Sequence, residues 1–336
     1  MVSSDSSRCT DGSGPERPGR LLAINDEDRE QLVMEVLRSG HADKLLSLIE
    51  GYQPEPRWEQ AERIAGLLAE ERRRFGISCP PEAVEDQILM SALMTPVSDD
   101  ALALSLARFN AHTVNTDDVR LRGHDGVKET LRVLVGDDAV ATARASYTRH
   151  MLDALQPFAD PAFLAVFSIF LGNAVVGALW EGEYPADVDF AVDPRYVRDK
   201  SGYGELWAVT LCFLDPSLDF WANAGFWAHA MQPLKTFLEA GNDAFSFYKE
   251  AVHGEDLSAS EPYRTARRRD VPYHVAYGWA VDATVRAYHK ILRIGGPQRT
   301  PFLKTFANGY LYWHAHSRRY RWQEIYPELK PLVLPG

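Results

Sequence analysis

Apolar residues along the chain recur at intervals of three and four positions, the spacing that places them on one face of a helix. In residues 58–75, for example, Ile64 and Leu68 share a face, and charged residues occupy the opposite face. Alternating apolar and polar positions, which are typical of a half-buried strand, are scarce. The pattern therefore predicts an all-α protein of about ten helices.

The predicted helices start where a capping residue precedes an apolar periodic stretch. Asn25 or Asp26 begins the first helix, and the pair Asp99-Asp100 begins another. Other helices are predicted over 58–75, 127–135, 138–157, 161–182, 192–213, 217–252, 271–293 and 299–326. Few residues separate neighbouring helices, so the connections are predicted to be short.

Composition bears on domain organisation and location. Residues 1–20 are rich in Ser, Gly and Pro, so we expect a disordered tail there and one domain over 21–336. The start of the chain has no apolar run of signal-peptide type. The longest apolar stretch, 163–180, is interrupted by Ser168 and Gly172, so no transmembrane helix is predicted. We therefore expect a cytoplasmic protein that has no membrane partner.

Charge and potential metal ligands narrow the function further. The 36 Lys and Arg residues stand against 47 Asp and Glu residues, a net charge of −11, which disfavours a nucleic-acid partner. The three cysteines, Cys9, Cys79 and Cys212, are widely spaced, which argues against a disulfide scaffold or a structural zinc site. His314 and His316 are two positions apart and fall on different sides of a helix, so a zinc-binding pair is not expected there.

One stretch, NDAFSFYKE at 242–250, combines oxygen ligands with helical spacing. Asn242, Ser246 and Glu250 lie four residues apart and share one helix face over two turns. An amide oxygen, a hydroxyl and a carboxylate are hard ligands that suit Mg²⁺, which also binds phosphate oxygens. Lys249 lies next to this face and can reach a phosphate. The stretch therefore predicts a magnesium and phosphate site.

A second stretch near the C-terminus suits anion recognition. Arg318-Arg319-Tyr320-Arg321 offers guanidinium groups that donate to two phosphate oxygens at once, and a phenol that adds one more donor. Trp313 precedes this stretch on a predicted helix, and its ring face can stabilise a cation. An exposed basic helix end is the alternative interpretation.

The pattern N-D-x-x-S-x-x-K-E at 242–250 resembles the second metal-binding motif of class I terpene cyclases, and its wording is close to the fungal trichodiene-synthase-like family. The resemblance extends over residues 95–328. It implies a class I isoprenoid synthase fold, a helical barrel around a central aromatic-lined cavity with metal motifs at the rim.

The same resemblance implies which residues bind the diphosphate. The family's Arg-Tyr pair matches Arg319 and Tyr320. Arg198, 44 residues before Asn242, matches an arginine that senses the diphosphate, and Arg195 is the alternative. Lys290 is an additional candidate for a diphosphate contact.

The first metal motif of the family is incomplete in this chain. Asp117 and Asp118 fit the place of its Asp-rich sequence, but Leu121 stands where a third acid is common. Asp125 or the acidic pair at 99–100 are the alternatives. We expect Asp117 to be a metal ligand.

The resemblance, with these residues in its motifs, implies a sesquiterpene cyclase that ionises farnesyl diphosphate with two or three Mg²⁺ ions. The metal ligands would be Asp117, Asn242, Ser246 and Glu250. Substrate binding and catalysis would involve Arg198, Lys249, Trp313, Arg319 and Tyr320. The resemblance also implies a fungal enzyme of secondary metabolism, with the humulene-forming type as one candidate, and a homodimer. The alternatives are a cyclase for geranyl or geranylgeranyl diphosphate and a degenerate protein that binds isoprenoid diphosphates without catalysis.

Overall fold

The structure, a computed structural model, describes residues 26–77, 81–118, 124–139, 142–183, 193–252, 257 and 260–335. The tail predicted at 1–20 lies outside these ranges. Every regular element within them is helical, which confirms the all-α prediction. The α-helices are α1 (Asp26–Arg38), α2 (His41–Ser47), α3 (Trp58–Arg74), α4 (Pro81–Met94), α5 (Asp100–Asp118), α6 (His124–Leu134), α7 (Ala143–Leu155), α8 (Pro161–Glu183), α9 (Pro194–Ser201), α10 (Gly204–Ala208), α11 (Ala224–Val252), α12 (Glu261–Arg269) and α13 (Tyr273–His316).

The helix predicted over 192–213 is divided in the structure. α9 ends at Ser201, and Gly202 and Tyr203 interrupt the helix before α10 begins. Tyr203 has a φ of 55°, a left-handed conformation that no α-helix can contain. A 3₁₀ turn over Val209–Phe213 then completes the segment.

The last predicted helix is shorter than the periodicity indicated. α13 ends at His316, and Ser317 is already extended; the described residues beyond it form a 3₁₀ turn over Trp322–Glu324 and no further α-helix. α11 likewise begins at Ala224 instead of 217, because a short 3₁₀ turn capped by Asp215 precedes it. Both differences lie in stretches that pack against other helices.

α13 consists of two helical segments that fold back on each other. Gly296 has φ 61° and ψ −177°, a conformation that glycine adopts without a steric penalty, and Pro297 follows it. Tyr288 donates to Asn308 Oδ1 over 2.8 Å, although a straight helix would separate positions 20 apart by about 30 Å. The predicted pair of helices over 271–293 and 299–326 thus corresponds to a helical hairpin.

The α13 hairpin packs along α11. A Cβ atom added at Gly241 would lie 3.1 Å from the ring of Tyr310 and 3.4 Å from Thr284, one residue from each segment of the hairpin. Tyr310 also donates to the carbonyl oxygen of Leu238 on α11. This packing brings the two stretches of chemical interest, 242–250 and 313–320, next to each other.

α8 is the most apolar helix described. By length and composition alone, Pro161–Glu181 could cross a membrane, with a mean hydropathy of 2.2. The sequence prediction, which treated Ser168 and Gly172 as interruptions, did not anticipate this. Phe163 and Phe167 nevertheless lie in a buried cluster with side chains of α5, α6, α7 and α10. One face of α8 therefore belongs to the protein core.

His112 on α5 gives the fold a pH dependence. It is buried, and its Nε2 lies 2.8 Å from Thr148 Oγ1. Thr148 donates its own proton to the carbonyl oxygen of Arg144, so Nε2 must be the donor to Thr148. Burial lowers the pKa of His112 to about 4. The folded protein therefore holds this imidazole neutral at a pH where the unfolded chain protonates it.

The expected result is a free energy of unfolding that falls as the pH is lowered from 6.5 towards 4. Between these values the unfolded state binds one more proton at His112, which removes about 3 kcal/mol of stability. Urea unfolding at several pH values, compared with His112→Gln, isolates this contribution. Equal slopes against pH for the two proteins would contradict it.

Candidate active site

A cavity opens between α5, the break after α9, α11 and the end of α13. Its empty space, including the solvent at its open mouth, is about 520 Å³. Its lining residues are Thr113, Val114, Arg198, Ser201, Gly202, Tyr203, Trp207, Leu238, Asn242, Tyr310, Trp313, His314, Arg319 and Tyr320. The wall thus combines aromatic rings with two arginines. Of the predicted site residues, Arg198, Asn242, Trp313, Arg319 and Tyr320 meet here.

Asn242 connects three elements at this cavity. Arg198 on α9 donates through Nη2 to Asn242 Oδ1 over 2.9 Å. The Asn242 amide nitrogen donates to the Tyr320 hydroxyl over 3.2 Å, in the segment after α13. Because an arginine has only donors, the amide oxygen must face Arg198, and the orientation of the Asn242 amide is fixed. Two predicted diphosphate ligands therefore contact the same predicted metal ligand.

Asp243 forms the other half of the Arg198 contact. Arg198 Nε donates to Asp243 Oδ2 over 3.1 Å, and Nη2 lies 3.1 Å from Oδ1, a bidentate ion pair. Arg198 also donates to the Glu239 carbonyl oxygen over 3.3 Å. Burial raises the pKa of Asp243 to about 7, although Arg198 acts in the opposite direction. Desolvation thus outweighs the ion pair at this carboxylate.

His314 lies behind Asn242 as a neutral side chain. Its Nδ1 lies 2.8 Å from the carbonyl oxygen of Tyr310, which can only accept, so Nδ1 carries the proton. Nε2 is then an acceptor, 3.5 Å from the Asn242 amide nitrogen. Burial lowers the pKa of His314 to about 3. The imidazole therefore adds no positive charge to the cavity at physiological pH.

The face of α11 beyond Asn242 suits a hard divalent cation such as Mg²⁺. Ser246 is 2% exposed, and its Oγ has no hydrogen-bond partner in the described part of the chain. A buried hydroxyl without a partner carries a desolvation cost that a cation would remove. The described residues contain no group of three or more His, Cys, Asp or Glu side chains suited to a metal. The oxygens of Asn242, Ser246 and half-buried Glu250 are the groups on this face that could hold a cation.

The segment after α13 covers this part of α11. Trp322 Nε1 donates to the carbonyl oxygen of Phe245 over 2.8 Å. Lys249 is buried, and its Nζ lies 5.8 Å from the centroid of the Tyr320 ring. The guanidinium carbon of Arg319 lies at the same distance from that ring. Two predicted diphosphate-binding cations thus lie around Tyr320.

The Trp313 side chain lies in the wall of the cavity and has a fixed orientation. Its Nε1 donates to the carbonyl oxygen of Asp86 on α4 over 2.9 Å, and the side chain is buried. Tyr320 packs against it edge to face. The ring is therefore anchored from behind while it lines the cavity.

For three of the predicted or alternative site residues, the structure shows no contact at the cavity. Asp117 lies in the last turn of α5, but its side chain is outside the described part, as are Leu121 and the side chain of Asp125. Lys290 is exposed and is not among the described residues that line the cavity. Arg195 is also exposed, whereas Arg198 points to Asn242. The roles of Asp117 and Lys290 stay predictions.

Sequence reasoning assigned no role to Asp243 or His314. Asp243 lies inside the 242–250 stretch. Its role depends on the packing of α9 against its side of α11, and no local sequence pattern indicates that packing. For His314, the sequence pattern bears only on zinc binding, which its spacing from His316 disfavours. The sequence feature that could have indicated a neutral, oriented His314 is its spacing of four residues from Tyr310, because this spacing lets Nδ1 reach the carbonyl oxygen of the preceding turn.

Comparisons with known proteins support a common family. The family model described as trichodiene synthase matches residues 162–331, which is 170 of the 336 residues. Terpene synthase BipA of Cochliobolus sativus is 25% identical over 150 residues, which cover 40% of this chain and 44% of that protein. Trichodiene synthase of Fusarium sporotrichioides is 26% identical over 155 residues, 44% of this chain and 39% of that protein. The chain thus matches less than half the length of either relative.

Solved structures share the fold at low sequence identity. The 2-methylisoborneol synthase of Streptomyces coelicolor A3(2), in complex with Mg²⁺ and 2-fluoroneryl diphosphate, superposes with a TM-score of 0.60 and 14% identity over 78% of this chain and 92% of that one. Its complex with Mg²⁺ and geranyl-S-thiolodiphosphate gives the same score over 80% and 94%. The predicted all-α isoprenoid synthase fold is confirmed. Because the family model covers half of the sequence, the chain belongs to the trichodiene synthase family.

Proposed function

We propose that the protein is a Mg²⁺-dependent cyclase that ionises farnesyl diphosphate and closes the resulting allyl cation into a C15 terpene. The observation that carries this proposal is the hydrogen-bonded series Arg198–Asn242–Tyr320 at an aromatic-lined cavity. It joins a diphosphate-binding arginine and tyrosine to the helix face suited to a cation. Family membership and the Mg²⁺ complexes of the structural neighbour support the same chemistry.

The first step needs a site that stabilises the charge of the departing diphosphate. Arg198 and Arg319 line the cavity, and a guanidinium group can donate to two phosphate oxygens at once. The Tyr320 hydroxyl, which accepts from Asn242, belongs to a phenol, a group that can donate to a phosphate oxygen as well as accept. Mg²⁺, when held by oxygens of Asn242, Ser246 and Glu250, would supply most of the positive charge that lowers the barrier to C–O bond cleavage.

The second step needs a container that does not react with a carbocation. The cavity wall presents the rings of Tyr203, Trp207, Tyr310 and Trp313. Ring faces stabilise positive charge and exclude water, which would quench the cation. The neutral His314 avoids electrostatic repulsion of the cation. The released diphosphate is the base that takes the final proton, so no side-chain base is required.

Incubation of the purified chain with geranyl, farnesyl or geranylgeranyl diphosphate, with Mg²⁺ or with EDTA, tests this proposal. Volatile extracts are analysed by mass spectrometry, and kcat/KM is compared among the three substrates. The expected result is a cyclic C15 product that forms only with Mg²⁺. A preference for the C10 or C20 substrate would support the alternative cyclases. Diphosphate binding without any product would support the degenerate binder.

A further inference from the structure

The guanidinium of Arg198 lies where a cation bound to Asn242 would lie. Its Nη2 is 2.9 Å from Asn242 Oδ1, the oxygen through which an asparagine coordinates metals. The side chain is 13% exposed, so it is enclosed between α9 and α11 and does not extend into solvent. A positive charge therefore already occupies one of the proposed metal ligands.

Two sets of contacts hold this arrangement. On the Asn242 side, the amide nitrogen is engaged by Tyr320 and faces His314, so the oxygen cannot turn away from Arg198. On the other side, Asp243 binds Arg198 through both carboxylate oxygens and is itself only 7% exposed. The contact is thus fixed from both ends.

We propose that Arg198 is a placeholder cation, held on Asn242 Oδ1 by Asp243, with which a divalent cation has to compete. Asp243 is then a positioning residue that acts through Arg198. The inference rests on the proposed function, because it assigns to Arg198 a position that it must leave before it can bind a diphosphate.

The competition couples two binding events. A charge-assisted hydrogen bond to Asn242 must break before that oxygen is available to a divalent cation, which weakens cation binding on its own. A diphosphate gives the displaced guanidinium new partners of opposite charge. Each ligand therefore raises the affinity for the other, as linkage requires. The protein would load cation and diphosphate together instead of accumulating the cation alone.

Mn²⁺ binding, followed by the electron paramagnetic resonance signal of the free ion, measures the competition without turnover. We expect Arg198→Gln to bind Mn²⁺ about tenfold more tightly than the wild type when no diphosphate is present, because the competing charge is gone. Arg286→Gln is the matched control, an exposed arginine on α13, and should leave the affinity unchanged.

Inorganic diphosphate provides a second readout on the same proteins. In the wild type it should increase the Mn²⁺ affinity more than in Arg198→Gln, where the guanidinium that couples the ligands is missing. A structural effect of the substitution would not produce tighter cation binding together with weaker coupling.

A double-mutant cycle isolates the part played by Asp243. Asp243→Asn removes a negative charge near the cation, so its direct effect on affinity is cancelled by comparison within the cycle. If Asp243 holds Arg198 in place, Arg198→Gln should tighten Mn²⁺ binding much less in the Asp243→Asn background than in the wild type.

The outcomes separate this inference from the proposed function. Unchanged or weaker Mn²⁺ binding in Arg198→Gln, with normal binding in the presence of diphosphate, overturns the placeholder role and leaves the cyclase proposal intact. Equal effects of Arg198→Gln in both backgrounds overturn the role of Asp243. No Mn²⁺ binding by any protein, even with diphosphate, overturns the inference and the proposed metal site together.

Discussion

Glu250→Gln is expected to reduce terpene formation from farnesyl diphosphate by about 100-fold or more, because it replaces the one carboxylate among the three proposed cation ligands of α11. The amide keeps the size of the side chain but not its charge. Ser246 and Asn242 are neutral ligands, so neither can replace that charge. The measurement is the rate of product formation under saturating Mg²⁺, with circular dichroism as a check that the variant is folded.

Glu59→Gln is the matched control for this substitution. It makes the same chemical change at an exposed position of α3, and its activity should equal that of the wild type. If Glu250→Gln retained half of the wild-type rate, Glu250 would have to be removed from the set of metal ligands. A loss that occurs only below saturating Mg²⁺ would instead show that the carboxylate acts on cation affinity.

Gly309→Ala is expected to destabilise the protein strongly, because the added methyl group has no space between α4 and α13. A Cβ atom at Gly309 would lie 2.1 Å from the carbonyl oxygen of Leu93 and 2.5 Å from its carbonyl carbon. These are backbone atoms of α4, so no side-chain rotation relieves the overlap, and the two helices must move apart. The expected cost is about 3 kcal/mol or more, measured by urea unfolding.

Gly66→Ala is the control, since it places the same methyl group on an exposed helix position with no heavy atom within 4 Å. It should stabilise the protein by about 0.5 to 1 kcal/mol, because alanine has the higher helix propensity. Opposite signs for the two variants would confirm that the approach of α4 to α13 governs the effect. A Gly309→Ala protein as stable as the wild type would contradict it.

The local part of the candidate site could be predicted from the sequence. Asn242, Ser246 and Glu250 share a face because helical periodicity alone determines it. The interruption of α13 was also predicted, as a gap between helices over 271–293 and 299–326, and Gly295-Gly296-Pro297 lies in that gap.

The sequence could not show where long-range contacts override periodicity. The helical apolar pattern continues past His316, and no Pro or Gly interrupts it before Tyr326. The α-helix nevertheless ends at His316. Tyr320 and Trp322 form hydrogen bonds with residues of α11, because the chain turns towards α11 after the helix ends. These non-local contacts outweigh local helix propensity.

The placement of Arg198 required the packing of α9 on α11. Gly202 permits that packing, since a Cβ atom there would lie 2.5 Å from Glu239 Cγ. The resemblance to the family identified Arg198 as a candidate but gave no information on its partners, Asn242 and Asp243. Such contacts depend on the relative position of two helices, which a single sequence does not specify.

The most direct test of the cyclase proposal is the release of inorganic diphosphate from farnesyl diphosphate by the purified chain. We expect release that requires Mg²⁺, stops with EDTA and matches the amount of C15 product. Absence of release from the C10, C15 and C20 diphosphates alike, by a folded protein with Mg²⁺ present, would contradict it.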